Sequence, residues 1–122
     1  MFRILVVDDD AVQLDLFKQV LEIAGYQVEV AVTAAQTVRR LGNADLVLMD
    51  LRMPNALGES DCREGMALIR HIRALGCRAP VIVLSGWPED LYGQPEEHLV
   101  SCILVKPVGT RDLLETIGAL LA

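Results

Sequence analysis

The chain has 122 residues, the length of one domain, and we expect a single domain over residues 1–122. Hydrophobic residues make up 52% of it and charged residues 23%, which excludes intrinsic disorder and predicts a buried core. Aromatic residues are only 4%, and 17 Asp and Glu against 11 Lys and Arg give a net charge of -6. Both figures argue against direct nucleic-acid binding, which needs a basic face and often uses stacked rings.

The amino-terminal residues and the cysteines indicate a compartment. The first three residues lead directly into a short apolar run and three acids, which fits neither a signal peptide nor a membrane span. Cys62, Cys77 and Cys102 are odd in number and lack a CxxC spacing, so we expect neither a disulfide framework nor a zinc site. The prediction is a cytoplasmic protein with reduced thiols and no membrane insertion.

Short aliphatic runs alternate along the chain with segments of helical period, which is typical of βα units around a parallel sheet. The first strand is predicted at residues 3–7, and the helix after it ends at Gly25, a residue suited to a left-handed helix end. An edge strand is predicted at residues 27–31. Thr33 then caps a second helix, which we expect to end at Gly42.

The third strand is predicted at residues 46–49, and it carries Asp50 at its carboxyl end. A helix with an apolar stripe follows and closes at Gly76. Residues 80–85 form the fourth strand, whose continuous apolar sequence indicates burial on both faces of the sheet.

The helical pattern is interrupted between residues 86 and 100. Pro88, Gly93 and Pro95 lie there, and each disfavours a helix interior, so we expect two short turns or a stunted fourth helix. The last strand is predicted at residues 102–105, and a final striped helix follows it. Five βα units with right-handed crossovers place all strand carboxyl ends at one edge of the sheet, where ligands of such folds gather.

Polar residues occur at four of these strand ends. They are Asp8, Asp9 and Asp10 after the first strand, Asp50 after the third, Ser85 after the fourth and Lys106 after the fifth. Clustered carboxylates repel one another unless a cation neutralises them, and Mg²⁺ is the hard ion that prefers such oxygen ligands. Asp50 is positioned to attack phosphorus, with Lys106 and Ser85 sharing the charge of the transferred group. Each feature alone is commonly a turn or a cap, but together they favour phosphoryl transfer.

Asp10 is the one acid of this group for which a structural role is favoured. It directly precedes the first predicted helix, where an aspartate caps free backbone amides and complements the helix dipole. We therefore expect Asp10 to be an N-cap and not a metal ligand.

Four motifs carry a family resemblance: ILVVDDD at residues 4–10, DLVLMDLRMP at 45–54, VIVLSG at 81–86 and VKP at 105–107. With them the sequence resembles the receiver domain of bacterial two-component response regulators over essentially its whole length. The resemblance implies a flavodoxin-like, doubly wound α/β fold with strand order 2-1-3-4-5. It also implies a signalling module that catalyses only its own phosphotransfer and dephosphorylation, and is not an enzyme that turns over a metabolite.

The resemblance also implies the roles of the acids. Asp50 would be the phosphoacceptor and would receive its phosphoryl group from a histidine kinase or a histidine phosphotransfer protein. Asp9 and Asp50 would bind Mg²⁺ directly, and Asp8 would act mainly through metal-bound water. The main-chain carbonyl of Arg52 falls at the position of the family's backbone metal ligand.

The remaining implied roles concern the phosphoryl group and the output. Ser85 matches the family's switch hydroxyl and Lys106 its phosphate-contacting lysine. The peptide bond between Lys106 and Pro107 is at a position where the family commonly has a cis bond. A downstream protein target would dock on the face made by the fourth helix, the fifth strand and the fifth helix.

Two regions depart from the family pattern. Residues 55–64 make the connection before the third helix longer than usual, and we hypothesise that this loop adjusts access to Asp50. Ile103 stands where an aromatic switch residue is common, which puts a simple aromatic rotamer switch in doubt. Trp87 and Tyr92 in the interrupted segment are interpreted as partly buried side chains, and phosphorylation is hypothesised to act by ordering that segment.

A phosphatase of the haloacid dehalogenase type is the main alternative. Residues 8–12 satisfy its DxDx(T/V) motif, with Asp8 as nucleophile and Asp10 as acid and base. That interpretation leaves Asp50 unexplained, and the later acidic motif of that family has no candidate. A flavodoxin is disfavoured, because the acids after the first strand would repel a flavin phosphate.

The longer context of the chain is left open between two possibilities. No output domain follows Ala122 in this sequence, so we expect either action through protein contacts alone or a domain excised from a longer chain. SGWPED at residues 85–90 resembles receivers attached to hybrid histidine kinases, which keeps the second possibility in view.

Overall fold

A computed structural model describes all 122 residues. Its main sheet has five parallel strands: β1 (Arg3–Val7), β2 (Gln27–Ala31), β3 (Leu46–Asp50), β6 (Val81–Ser85) and β7 (Cys102–Val105). A separate two-stranded hairpin of β4 (Met53–Pro54) and β5 (Ser60–Asp61) lies between β3 and β6 in the chain. The sheet order is β2-β1-β3-β6-β7, which is the predicted order 2-1-3-4-5 with the hairpin strands left out.

Four α-helices flank the sheet: α1 (Ala11–Ile23), α2 (Ala34–Arg40), α3 (Cys62–Ala74) and α4 (Thr110–Leu121). The expected fourth helix is replaced by two 3₁₀ helices, Pro88–Asp90 and Pro95–Leu99, as the proline and glycine pattern predicted. A further 3₁₀ turn, Leu41–Asn43, follows α2.

The core has two layers, because successive strand side chains point to opposite faces of the sheet. Leu5 and Val7 of β1 join the layer under α3 and the Leu91 region, whereas Ile4 and Val6 join the layer under α1 and α4. All four β1 side chains are buried, and the core is built from aliphatic residues, as the composition predicted. Burial of both faces explains why the central strands are continuously apolar.

The helix ends follow the sequence signals at most positions. Asp10 and Thr33 cap α1 and α2 with their side chains, and Gly25 and Gly76 have positive φ after α1 and α3. The prediction for Gly42 is wrong: α2 ends at Arg40, and Gly42 lies within the following 3₁₀ turn. Gly42 and Asn43 both have low helix propensity, which disfavours continuing the α-helix through them.

The connection after β3 also differs from the prediction. Residues 55–64 were expected to form a long loop, but Ser60–Asp61 pairs with Met53–Pro54 and α3 begins at Cys62. The Asn55 side chain organises the turn, since its Oδ1 accepts from the amides of Leu57 and Glu59. The insertion is therefore a short hairpin fixed by one asparagine.

Gly65 sets how closely α3 approaches the end of β3. A Cβ atom at this position would lie 1.9 Å from the carbonyl oxygen of Leu51. Only glycine permits this contact, and it holds the residues immediately after Asp50 against the first turn of α3. None of the helices is both long enough and apolar enough to cross a membrane.

Candidate functional site

Three carboxylates meet at the carboxyl edge of the sheet. Ligand oxygens of Asp8, Asp9 and Asp50 all lie within 4.8 Å of one another. The sheet causes this convergence, because Val7 of β1 pairs with Met49 of β3 and the acids directly follow both residues. The spacing fits the acidic cluster predicted from the sequence.

Asp50 is held by contacts to both of its carboxylate oxygens. Its Oδ2 accepts from Lys106 Nζ at 2.9 Å, and its Oδ1 accepts from the Arg52 backbone amide at 3.2 Å. The side chain keeps 15% of its surface exposed, so it is largely buried but still in contact with solvent. Asp50 is the acid of the cluster that is both anchored and reachable.

Lys106 reaches Asp50 from two strands away. Its backbone amide donates to the Ser85 carbonyl at 2.9 Å, which continues the pairing of β7 with β6 past the strand end. The Lys106–Pro107 peptide bond is cis, as the resemblance implied. The ammonium group neutralises part of the charge that three clustered carboxylates create.

Ser85 ends β6 beside this cluster and is 2% exposed. Its Oγ accepts from the backbone amide of Trp87 at 3.0 Å and makes no hydrogen bond to Asp50 or Lys106. The structure thus brings Asp50 and Lys106 into contact, while Ser85 is placed at the same edge with its hydroxyl engaged by the next turn.

Asp8 is the buried member of the cluster, with 3% of its surface exposed. Burial, reinforced by the nearby charge of Asp50, raises the pKa of the Asp8 carboxyl to about 6, against the opposing hydrogen bond from the Asp10 amide. An ionised Asp8 is therefore costly at neutral pH. A bound divalent cation would relieve that cost, so the residues present fit a hard, oxygen-liganded ion.

Asp10 does not belong to the cluster. Its Oδ1 accepts from the amides of Val12 at 2.9 Å and Gln13 at 3.4 Å, which is the N-cap geometry predicted for α1. The phosphatase alternative required Asp10 as a free acid and base. Because the side chain is committed to the helix end, the geometry gives that alternative no support.

Sequence reasoning missed a contact between the loops that follow β3 and β6. The Arg52 guanidinium donates from Nε to Asp90 Oδ2 at 2.9 Å and lies 3.9 Å from the centre of the Trp87 ring. Arg52 and Trp87 each stand two residues beyond a strand end, and β3 and β6 are neighbours in the sheet. Their equal distance from two neighbouring strand ends was the signal in the sequence from which the contact could have been predicted. Trp87 and Tyr92 are each about half exposed, which agrees with their interpretation as partly buried side chains.

The far half of the interrupted segment is attached to α3. Arg70 Nη1 lies 2.5 Å from Glu96 Oε1, and Arg73 Nε donates to the Leu99 carbonyl at 2.9 Å. Glu96 is buried, and its second oxygen has no partner. Ile103 lies on β7 and packs against the core layer under α3, so the strand carries no aromatic side chain at the position singled out in the sequence.

Comparison with known families gives a match that covers most of the chain. The family model described as "Response regulator receiver domain" matches residues 4–118. The YbdJ transcriptional regulatory protein of Bacillus subtilis, described as uncharacterized, is 32% identical over 113 residues, which is 93% of this chain and 48% of that protein. The CpxR homolog of Haemophilus influenzae is 30% identical over 123 residues, or 99% of this chain and 51% of the relative. The chain thus spans about half the length of these relatives.

Solved structures agree with the family match. The response regulator TrrA of Thermotoga maritima, crystallised with Mg²⁺ and BeF, is 28% identical with a TM-score of 0.84, covering 99% of this chain and 100% of that one. A chain in the crystal structure of the histidine kinase ThkA in complex with TrrA is 27% identical with a TM-score of 0.83. The match covers 100% of this chain and 100% of that one.

Proposed function

The chain belongs to the response regulator receiver domain family, and from this premise we propose that it accepts a phosphoryl group on Asp50 from a phosphohistidine donor, in the presence of Mg²⁺. The observation that carries the proposal is the contact of Lys106 Nζ with Asp50 Oδ2 at 2.9 Å beside the acidic cluster. A structural ion pair would explain the contact alone, but it would not explain two further carboxylates within 4.8 Å.

The metal would be held by the carboxylates of Asp8, Asp9 and Asp50 and by the main-chain carbonyl of Arg52. Asp9 and Asp50 would bind it directly, and the buried Asp8 would act mainly through metal-bound water. When bound, Mg²⁺ neutralises the carboxylates and withdraws charge from phosphoryl oxygens. The crystallisation of TrrA with Mg²⁺ and BeF supports Mg²⁺ as the ion.

The transfer step uses Asp50 as the nucleophile. A carboxylate oxygen of Asp50 forms a bond to phosphorus while the phosphorus–nitrogen bond of the donor histidine breaks, and the imidazole leaves with the electron pair. Lys106 would stabilise the charge on the phosphoryl oxygens in flight, and the Ser85 hydroxyl would donate to one of them after transfer. Water attack on the acyl phosphate returns Asp50 and inorganic phosphate.

The upstream partner would be a histidine kinase or a histidine phosphotransfer protein, which the complex of TrrA with ThkA supports by analogy. The downstream partner would be a protein that docks on residues 88–99, β7 and α4. Tyr92 and Val105 offer exposed apolar contacts on that face. The net charge of -6 disfavours direct nucleic-acid binding by this domain. Its setting would be the cytoplasm.

Acetyl phosphate tests the proposal without the unknown kinase. Intact-mass spectrometry with Mg²⁺ should show one added phosphoryl group, and omission of Mg²⁺ or the substitution Asp50→Asn should abolish it. Asp10→Asn, which removes a charge at a capping position, is the matched control and should retain phosphorylation. Steady turnover of an aryl phosphate that needs Asp8 and survives Asp50→Asn would instead establish the phosphatase.

A further inference from the structure

Three arginines and the buried side chain of Leu91 attach the segment of residues 87–99 to the rest of the molecule. Arg52 holds its first half through Asp90 and Trp87. Arg70 and Arg73 of α3 hold its second half through Glu96 and the Leu99 carbonyl. The two halves are the two 3₁₀ helices, and Gly93 between them has φ of 81°, a conformation that side-chain-bearing residues rarely adopt.

Only the first attachment connects to the phosphoacceptor. The Arg52 amide donates to Asp50 Oδ1, and its guanidinium lies over Trp87. The Trp87 amide in turn donates to Ser85 Oγ at 3.0 Å. Asp50 and Ser85 are thereby linked to Asp90 through Arg52 and Trp87, whereas the α3 attachments contact neither of them.

Resting on the proposed function, we propose that the Arg52 side chain couples the phosphorylation state of Asp50 to the first half of the segment. In the unmodified protein Arg52 holds Pro88–Asp90 against the site. A phosphoryl group on Asp50 draws the guanidinium away from Asp90, and Pro88–Asp90 is released while Pro95–Leu99 stays on α3.

The charges favour this exchange of partners. A phosphoryl group carries about -1.5 to -2 at neutral pH, whereas Asp90 carries a single negative charge. The Arg52 and Asp90 side chains are 31% and 17% exposed, and ion pairs with that much solvent contact are weak. The planar guanidinium can also donate two parallel hydrogen bonds to phosphoryl oxygens. To Asp90 it donates only one, from Nε.

This coupling explains how the segment responds without an aromatic residue on β7. Ile103 has no polar group to follow the Ser85 hydroxyl, and its side chain packs in the core. Arg52 instead joins the residues after Asp50 to the first half of the segment, through its contacts with Trp87 and Asp90. Phosphorylation then loosens one half of the segment, in contrast to the ordering of the whole segment hypothesised from the sequence.

Trp87 is the single tryptophan of the chain, so its emission reports on the Arg52 contact directly. Addition of beryllofluoride with Mg²⁺ to the wild-type protein should change the Trp87 emission as the guanidinium leaves the ring. Arg52→Ala should show the changed emission already without beryllofluoride. Trp87 emission that does not change when beryllofluoride is added to the wild-type protein would overturn the proposal.

Hydrogen exchange with a matched pair of variants locates the response. Asp90→Asn removes the Arg52 partner, and Glu89→Gln removes the same charge from an exposed neighbour that makes no ion pair. Asp90→Asn should speed amide exchange at residues 89–92 by about fivefold without beryllofluoride and leave residues 96–99 unchanged, whereas Glu89→Gln should behave as the wild type. In the wild type, beryllofluoride should produce the acceleration that Asp90→Asn already shows.

Phosphorylation measured on the same samples distinguishes a failure of the proposed function from a failure of the coupling alone. If acetyl phosphate adds no phosphoryl group to the wild type, the proposed function fails, and the coupling fails with it. If the phosphoryl group is added but exchange at residues 89–92 is unchanged, or if Asp90→Asn responds to beryllofluoride as fully as the wild type, only the coupling is overturned.

Discussion

Because the Asp8 carboxyl is buried, we expect its replacement to stabilise the protein, which is the opposite of the usual effect of mutating a buried residue. Its pKa is raised from an ordinary value of 3.8 to about 6, chiefly by burial. Its contribution to stability is therefore fully present below pH 3.8 and is lost as the pH rises through 6. The loss at neutral pH is about 3 kcal/mol at most, since one pKa unit corresponds to about 1.4 kcal/mol.

Asp8→Asn removes this loss and keeps an oxygen to accept from the Asp10 amide. Without divalent cations at pH 7.5, the variant should therefore be more stable than the wild type by up to about 3 kcal/mol. For a domain of this size the gain corresponds to a Tm about 10 °C higher. The gain should shrink below pH 6 and vanish near pH 4, where the wild-type carboxyl is protonated.

Urea unfolding of both proteins at pH 4, 6 and 7.5 in a chelating buffer measures the difference. Asp9→Asn is the control, because Asp9 is exposed and its removal should stabilise the protein less. Mg²⁺ should raise the stability of the wild type more than that of Asp8→Asn. A variant no more stable than the wild type at pH 7.5, or a gain that persists at pH 4, would refute the role assigned to burial.

Three further predictions follow from contacts described above. Lys106→Ala removes the ammonium that faces the phosphoacceptor, so phosphorylation by acetyl phosphate should slow by about 100-fold while the fold persists by circular dichroism; an unchanged rate would exclude Lys106 from the transfer. Gly65→Ala forces a Cβ against the Leu51 carbonyl, so the free energy of unfolding should fall by about 3 kcal/mol, whereas Gly118→Ala, where a Cβ meets open space, should not destabilise α4. Asp10→Ala should cost about 1 kcal/mol of stability through the lost cap and leave the extent of phosphorylation unchanged; a loss of phosphorylation would return Asp10 to the metal cluster.

The sequence alone was enough to predict the sheet and the acidic cluster. Strand positions followed from continuous aliphatic runs, and the site followed because parallel strands end at a common edge. The caps at Asp10 and Thr33 were predicted correctly because they depend on local backbone amides. These features all arise from residues close together in the chain or from the regular geometry of the sheet.

The features that the sequence did not predict depend on contacts between distant segments. The contact of Arg52 with Trp87 and Asp90 joins two loops whose separation is set only by the pairing of β3 with β6. The hairpin and the early start of α3 arise from pairing across the Asn55 turn, which has no alternating pattern long enough to signal strands. Gly65 did carry a signal, since a glycine inside a helix often marks a close approach, but its contact with Leu51 is visible only in three dimensions.

The position of the phosphoryl group tests the assignment of Asp50 as the phosphoacceptor. The protein would be treated with acetyl phosphate and Mg²⁺, and the acyl phosphate would then be reduced with borohydride, which converts the modified aspartate to homoserine. Peptide sequencing by mass spectrometry should find homoserine at residue 50 and aspartate at residues 8 and 9. Homoserine at residue 8, or no modified aspartate in a protein that is folded and has bound Mg²⁺, would contradict the assignment of Asp50 as the phosphoacceptor.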